Sequence, residues 1–180
     1  DLGTEFSMTY ACSKTGAFFV SAVLLLCTTV PVFASGDQHE KTRATNPNTL
    51  SGTCLENTAA YATSTDLQKT ASKQYKDVSG TSITFAQGAA GCVEVSFSSE
   101  AATVPGEILV TQALLDGQPC SPNENIFASD SPSADLATHA MNYICTGVPA
   151  GSHTAKIQFR SRFGGKVALD YRTTIVRYAQ

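Results

Sequence analysis

The chain has 180 residues, with 13 Gly, 7 Pro, 6 Cys and no Trp, a length that suits one ordinary domain after any leader is removed. Twelve Lys and Arg against fifteen Asp and Glu give a net charge of −3, which excludes a global drive toward nucleic acid or an anionic membrane. Ser, Thr, Ala, Val and Gly dominate and no long amphipathic helix is present, a composition that predicts an exported all-β domain.

Residues 1–7 (Asp1 to Ser7) read as a cloning scar ahead of Met8. Residues 8–34 read as a secretory signal: Lys14 supplies the positive n-region, Ala17 to Val30 is the apolar run, and Val32 and Ala34 stand at −3 and −1 of a candidate cleavage site before Ser35, with Ala34 and Gly36 offering an alternative cut before Asp37. The run falls short of the roughly 18–20 residues of a spanning helix and meets Pro31, so no membrane span remains after cleavage. This places the mature chain outside the cytoplasm: secreted, periplasmic or at the cell surface. Cleavage removes Cys12 and Cys27 and leaves Cys54, Cys92, Cys120 and Cys145. An even number in an oxidising compartment predicts disulfides, and three pairings are open. Cys120–Cys145 is favoured because both flank one acidic loop, which leaves Cys54–Cys92. No C-x-x-C or Cys/His ladder supports a metal site, and no cofactor motif is present.

Residues 35–51 are polar, with too little apolar surface to fold alone, and read as a disordered arm. The sandwich domain is assigned to residues 52–180. Thr58–Thr63 is a weak first strand, and Asp66–Lys76 is ambiguous between strand and short helix. Thr81–Phe85 and Cys92–Ser98 alternate across a Gly-rich turn and read as a hairpin, with Val93, Val95 and Phe97 facing inward. Glu107–Leu115 is apolar on both phases, as in a strand buried on both sides. Gln118–Asp135 is a long Pro- and Asp-containing loop with a short strand at Asn125–Ala128. Ala137–Cys145 carries His139, Met141 and Tyr143 on one phase. After the turn residues Gly147 to Gly151 come two alternating strands, His153–Phe163 and Lys166–Tyr178. Read as a hairpin, they need an odd loop to keep one apolar face, either Phe163-Gly164-Gly165 with Gly165 left-handed or Gly164-Gly165-Lys166. About eight strands without a convincing helix predict a two-sheet antiparallel β-sandwich, jelly-roll-like or immunoglobulin-like.

Charge is unevenly distributed. Asp77 to Asp135 holds eight acids and no Lys or Arg, whereas Lys156 to Arg177 holds six bases and one acid, Asp170. One reading is solvated faces that pair across adjacent strands. The sharper reading is a basic sheet of Lys156, Arg160, Arg162, Lys166 and Arg172 that binds an anionic glycan or self-associates with the acidic face. Catalytic motifs such as G-x-S-x-G, H-E-x-x-H and Walker A are absent, so no catalytic residue is assigned. The rival to a binding or surface-assembly module is a small secreted hydrolase using His139, with Asp130 or Asp135, or His153 with a loop carboxylate. A calcium site in the Asp130/Asp135 loop lacks an ordered ligand motif.

The run Gly147-Val148-Pro149-Ala150-Gly151-Ser152-His153-Thr154 and the alternating strand after it resemble a turn-plus-strand of small exported bacterial β-sandwich proteins. From Thr81 to Ala179 the layout is similar to the C1q/TNF-like jelly roll. That resemblance implies a sandwich and self-assembly, and it transfers no catalytic or binding residue.

Overall fold

The computed structural model describes residues 53–129 and 135–180. The scar, signal and arm assigned to residues 1–51, and Asp130, lie outside them. Eleven strands and no helix appear among the described residues: β1 (Thr58–Ser64), β2 (Gln68–Thr70), β3 (Lys76–Asp77), β4 (Ile83–Gln87), β5 (Gly91–Thr103), β6 (Ile108–Leu115), β7 (Gln118–Pro119), β8 (Asn125–Ser129), β9 (Ala137–Val148), β10 (Gly151–Ser161) and β11 (Val167–Tyr178). The ambiguous stretch after Asp66 thus holds two short strands, β2 and β3, which bring the number above eight.

The strands form two antiparallel sheets. In the five-stranded sheet the order is β1-β11-β5-β9, with β2 also on β11; in the six-stranded sheet it is β3-β10-β6-β7, with β4 also on β10 and β8 on β6. The core lies between them. It takes Val93, Val95 and Phe97 from β5, Leu109, Ala113 and Leu115 from β6, Ile157 and Phe159 from β10, and Val167, Leu169 and Val176 from β11. These are the inward phases of alternating strands, as burial on one face of a sheet requires. On β6 the other phase, Ile108, Val110 and Leu114, is buried too, and the strand lies between β10 on one side and β7 and β8 on the other.

Both expected hairpins are instead crossings between sheets. β4 pairs with β10, while β5 pairs with β11 and β9. β10 pairs with β3, β4 and β6, while β11 pairs with β1, β2 and β5. An alternating strand buries one phase whether its successor lies beside it or across the core, so periodicity does not separate the two arrangements. The odd-loop argument falls with the hairpin. Gly164, with φ 104°, holds the left-handed position expected of Gly165. Gly165 is needed for space: a Cβ there would lie 2.7 Å from Glu107 Oε2 and 2.9 Å from Val104 Cγ2.

The two disulfides join Cys54 to Cys92 and Cys120 to Cys145. The second is buried and ties the segment just after β7 to β9. Beside it Ser121 and Ile144 exchange both backbone hydrogen bonds, at 2.9 and 2.6 Å. No helix among the described residues is long and apolar enough to cross a membrane.

Candidate anion-binding site

The site is built on the crossing between β10 and β11. Its anchor is Glu107, 2% exposed, at the entry to β6. Oε1 accepts the backbone N–H groups of Ile108 (2.8 Å), Arg162 (3.0 Å) and Phe163 (2.9 Å), and Oε2 accepts that of Gly165. The crossing is a nest of N–H groups filled by the chain's own carboxylate. Burial pushes the Glu107 carboxyl up, yet the N–H groups of Phe163, Ile108 and Gly165 outweigh it and hold it below its ordinary value. Ser161 Oγ accepts from Gly164 N–H at 2.7 Å, and Ser161 N–H donates to Ser72 O at 2.9 Å, which draws the segment after β2 alongside. Fixed in this way, the loop holds its flanking side chains outward.

The five predicted cations do not share a sheet. Lys156 and Arg160 lie on β10, Arg172 on β11, and Arg162 and Lys166 on the crossing. Lys156 Nζ lies 2.9 Å from Asp77 Oδ2. Arg160 stands 3.6 Å from Glu124 and over the Tyr75 ring, 5.2 Å from its centre. Arg177 meets Glu94 directly across the β11–β5 ladder at 3.2 Å. Three acids of the middle segment therefore pair with three bases of the C-terminal strands, the plainer of the two charge readings.

Arg172 overturns its assignment to an outer face, because it is 1% exposed. The cause is a bulge between Asp170 and Thr173, where Tyr171 has φ 41° and is 61% exposed. One extra residue reverses the phase of the strand. Val167 and Leu169 point inward before it; Arg172, Thr174, Val176 and Tyr178 do so after it. The Arg172 guanidinium donates to Ser64 Oγ at 2.9 Å, and burial lowers its pKa.

Arg162 and Lys166 remain exposed, and the fold adds Lys69 and Lys73 to them. β2 sets Lys69 opposite Ala168, two residues from Lys166. Lys73 runs past Gly164, where a Cβ would meet its Cε at 3.1 Å. Among the described residues none of these four cations joins an ion pair. Beside them is a groove of about 330 Å³, lined by Leu67, Lys69, Val104, Leu136, Lys166 and Ala168 among others. Sequence reasoning missed Lys69, Lys73 and Glu107. A β2 pairing would have revealed the first; an acid opening an apolar run just after Pro105-Gly106 was the available signal for the last.

A second cleft, also about 330 Å³, holds His153. His153 is 7% exposed; its Nδ1 lies 2.6 Å from Asp116 Oδ2 and its Nε2 3.0 Å from Pro149 O. Asp116 Oδ1 also accepts Thr154 N–H at 2.8 Å. The hydrogen bond to Asp116 raises the His153 pKa, and the same bond lowers that of Asp116. With both ring nitrogens engaged, the imidazole braces the turns after β6 and β9 and has no free nitrogen to take a proton from a nucleophile. His139 is half-buried against the Phe127 ring, 5.6 Å between centres. Its pairing with Asp130, and the loop calcium site, involve a residue outside those described. Among the described residues no group of three or more His, Cys, Asp or Glu could hold a metal.

No family model and no curated protein sequence matches the chain. Among solved structures it is similar to a family GH115 4-O-methyl-α-glucuronidase, BtGH115A, with specificity for decorated arabinogalactans (TM-score 0.41, 14% identity, 76% of this chain and 19% of that chain). It is also similar to the infectious bursal disease virus VP2 subviral particle (TM-score 0.39, 14% identity, 76% of this chain and 36% of that chain). The chain thus spans well under two thirds of either protein, and both TM-scores are too low to equate the folds.

Proposed function

We propose that this protein is an exported, disulfide-stabilised β-sandwich that binds an anionic ligand, an acidic glycan in the first instance. The observation that carries this reading is the cluster of Lys69, Lys73, Arg162 and Lys166 around one crossing, without an ion pair among the described residues, while Lys156, Arg160 and Arg177 are neutralised. Glu107 occupies the backbone N–H groups there, so a ligand's carboxylate or sulfate groups meet side chains only. Aliphatic walls between Lys69 and Lys166 suit the C–H faces of a sugar ring. Two disulfides are compatible with an extracellular setting. The test is an array of uronate-bearing and sulfated glycans, read at low and high salt with the wild type and the Arg162→Glu/Lys166→Glu double variant. Binding at low salt that weakens with salt, and at least about tenfold in the variant, supports the site. No binding at low salt, or binding indifferent to the variant, removes it.

A further inference from the structure

Among the described residues β9 is the last strand of the five-stranded sheet, and its second edge meets no strand, only Ser121 at Ile144. β5 takes the other edge in unbroken register from Ala101↔Ala137 to Val93↔Cys145. On the open edge Ser121 bonds both the N–H and the C=O of Ile144, which shows that Ile144 faces away from β5. Alternation of an antiparallel ladder then turns the backbone groups of Asn142, Ala140 and Thr138 the same way. No strand or loop among the described residues pairs with them. Ala137 to Asn142 reads Ala-Thr-His-Ala-Met-Asn, without Lys, Arg, Asp, Glu, Pro or Gly. Edge strands that stay single are blunted by such residues or by bulges, and this segment has none of these devices.

The inner phase is also incomplete here. Tyr143 and Cys145 are buried, but His139 and Met141, on the same phase, are only half-buried.

We propose that two copies of this chain join edge to edge through β9, antiparallel and centred on Ala140 across a twofold axis. This register sets Thr138 opposite Asn142 of the second copy, Ala140 opposite Ala140, and His139 opposite Met141. All three free positions meet free positions, each exchanging both backbone bonds. A shift by two residues toward Ile144 leaves Thr138 facing a group already held by Ser121. A twofold contact sets the side chain on its axis against its own copy, so a charge there would meet itself; an uncharged strand with Ala at the centre satisfies that requirement. The added strand covers the half-buried His139 and Met141, and the two five-stranded sheets become continuous.

The test is light scattering on the full chain over a wide concentration range, with Ala140→Pro, Ala140→Lys and Ala140→Cys. The Ala140 N–H points away from β5, so proline costs its own sheet no ladder bond. Lysine is tolerated at an exposed position but sets like charges together across the axis. The wild type gives a concentration-dependent dimer; proline and lysine raise its dissociation constant about tenfold or more; Ala140→Cys yields a disulfide-linked dimer and Thr138→Cys does not, because only residue 140 meets itself. Circular dichroism and intact native disulfides confirm that each variant is folded. A wild type that is monomeric throughout, a dimer indifferent to both Ala140→Pro and Ala140→Lys, or an open ladder of larger species overturns the proposal. The Arg162→Glu/Lys166→Glu variant dimerises as the wild type, which separates this interface from ligand binding.

Discussion

Glu107 and the His153–Asp116 pair contribute pH-dependent stability with opposite signs. Glu107 has a folded pKa below its ordinary 4.5. Its contribution to stability is therefore present above about pH 4.5 and is lost as pH falls through the folded value. Glu107→Gln replaces two acceptors with one and turns an amide toward N–H groups, which should cost about 2–4 kcal/mol at neutral pH and flatten the acid limb. Urea midpoints measured against pH check both statements. His153 behaves oppositely: its folded pKa is raised above 6.5, so its contribution is complete below that and is lost as pH rises through the folded value. Asp116, lowered from 3.8, contributes above that value and loses its contribution as pH falls further. The pair is thus fully engaged between these limits, and His153→Gln should remove the decline on the alkaline side. Tyr143 shares a 2.6 Å hydrogen bond with Thr111 in the core, and burial pushes its phenol up to about 12. Tyr143→Phe should leave the Thr111 hydroxyl buried without that partner, at a cost of about 1–2 kcal/mol in chemical denaturation.

Strands carry the next set of consequences. β11 is the hub of its sheet, bonded to β5 on one side and to β1 and β2 on the other. Its bulge at Tyr171 removes Arg172 from the surface, so Arg172→Met should leave anion affinity unchanged in the titration that Arg162→Glu and Lys166→Glu weaken. A substitution that lowers affinity at Arg172 alone would place the ligand elsewhere. The Cys120–Cys145 bridge spans 25 residues in sequence and is buried beside the core. Replacing both cysteines with Ser should cost about 3 kcal/mol, read as a shift in the denaturant midpoint with the other disulfide intact. At this scale the sequence was informative about strand existence. Val93-Glu94-Val95-Ser96-Phe97 alternates as a half-buried strand, and Glu107–Leu115, apolar on both phases, reads as one buried on both sides. It was silent about partners. The apolar phase of β10 faces a common core with that of β11 from the opposite sheet, a geometry with the same one-dimensional pattern as a hairpin.

Across the whole molecule the ladders are strongly non-local: β1 pairs with β11, and β4 with β10. Such a topology closes long loops before its contacts form, so refolding with disulfides intact should fall on the millisecond-to-second scale. The net charge of −3 hides a division of labour. Glu94, Asp77 and Glu124 pair with Arg177, Lys156 and Arg160, Arg172 is buried on β11, and the remaining two bases of the segment, Arg162 and Lys166, stand at the crossing. Binding there should therefore depend on salt more steeply than the net charge suggests, because the ligand meets a local cluster.

The sequence by itself determined the all-β class, the positions of the eight principal strands, and the cysteines available for two bridges. These follow from local periodicity, turn chemistry and an even cysteine count, which are written residue by residue. Only the tertiary structure decided which strands share a sheet, that Tyr171 and Arg172 exchange faces, that Glu107 fills the β10–β11 crossing, and that Lys69 and Lys73 join Arg162 and Lys166. Each of those depends on groups brought together from distant parts of the chain, and a single bulge residue suffices to reverse every side chain beyond it.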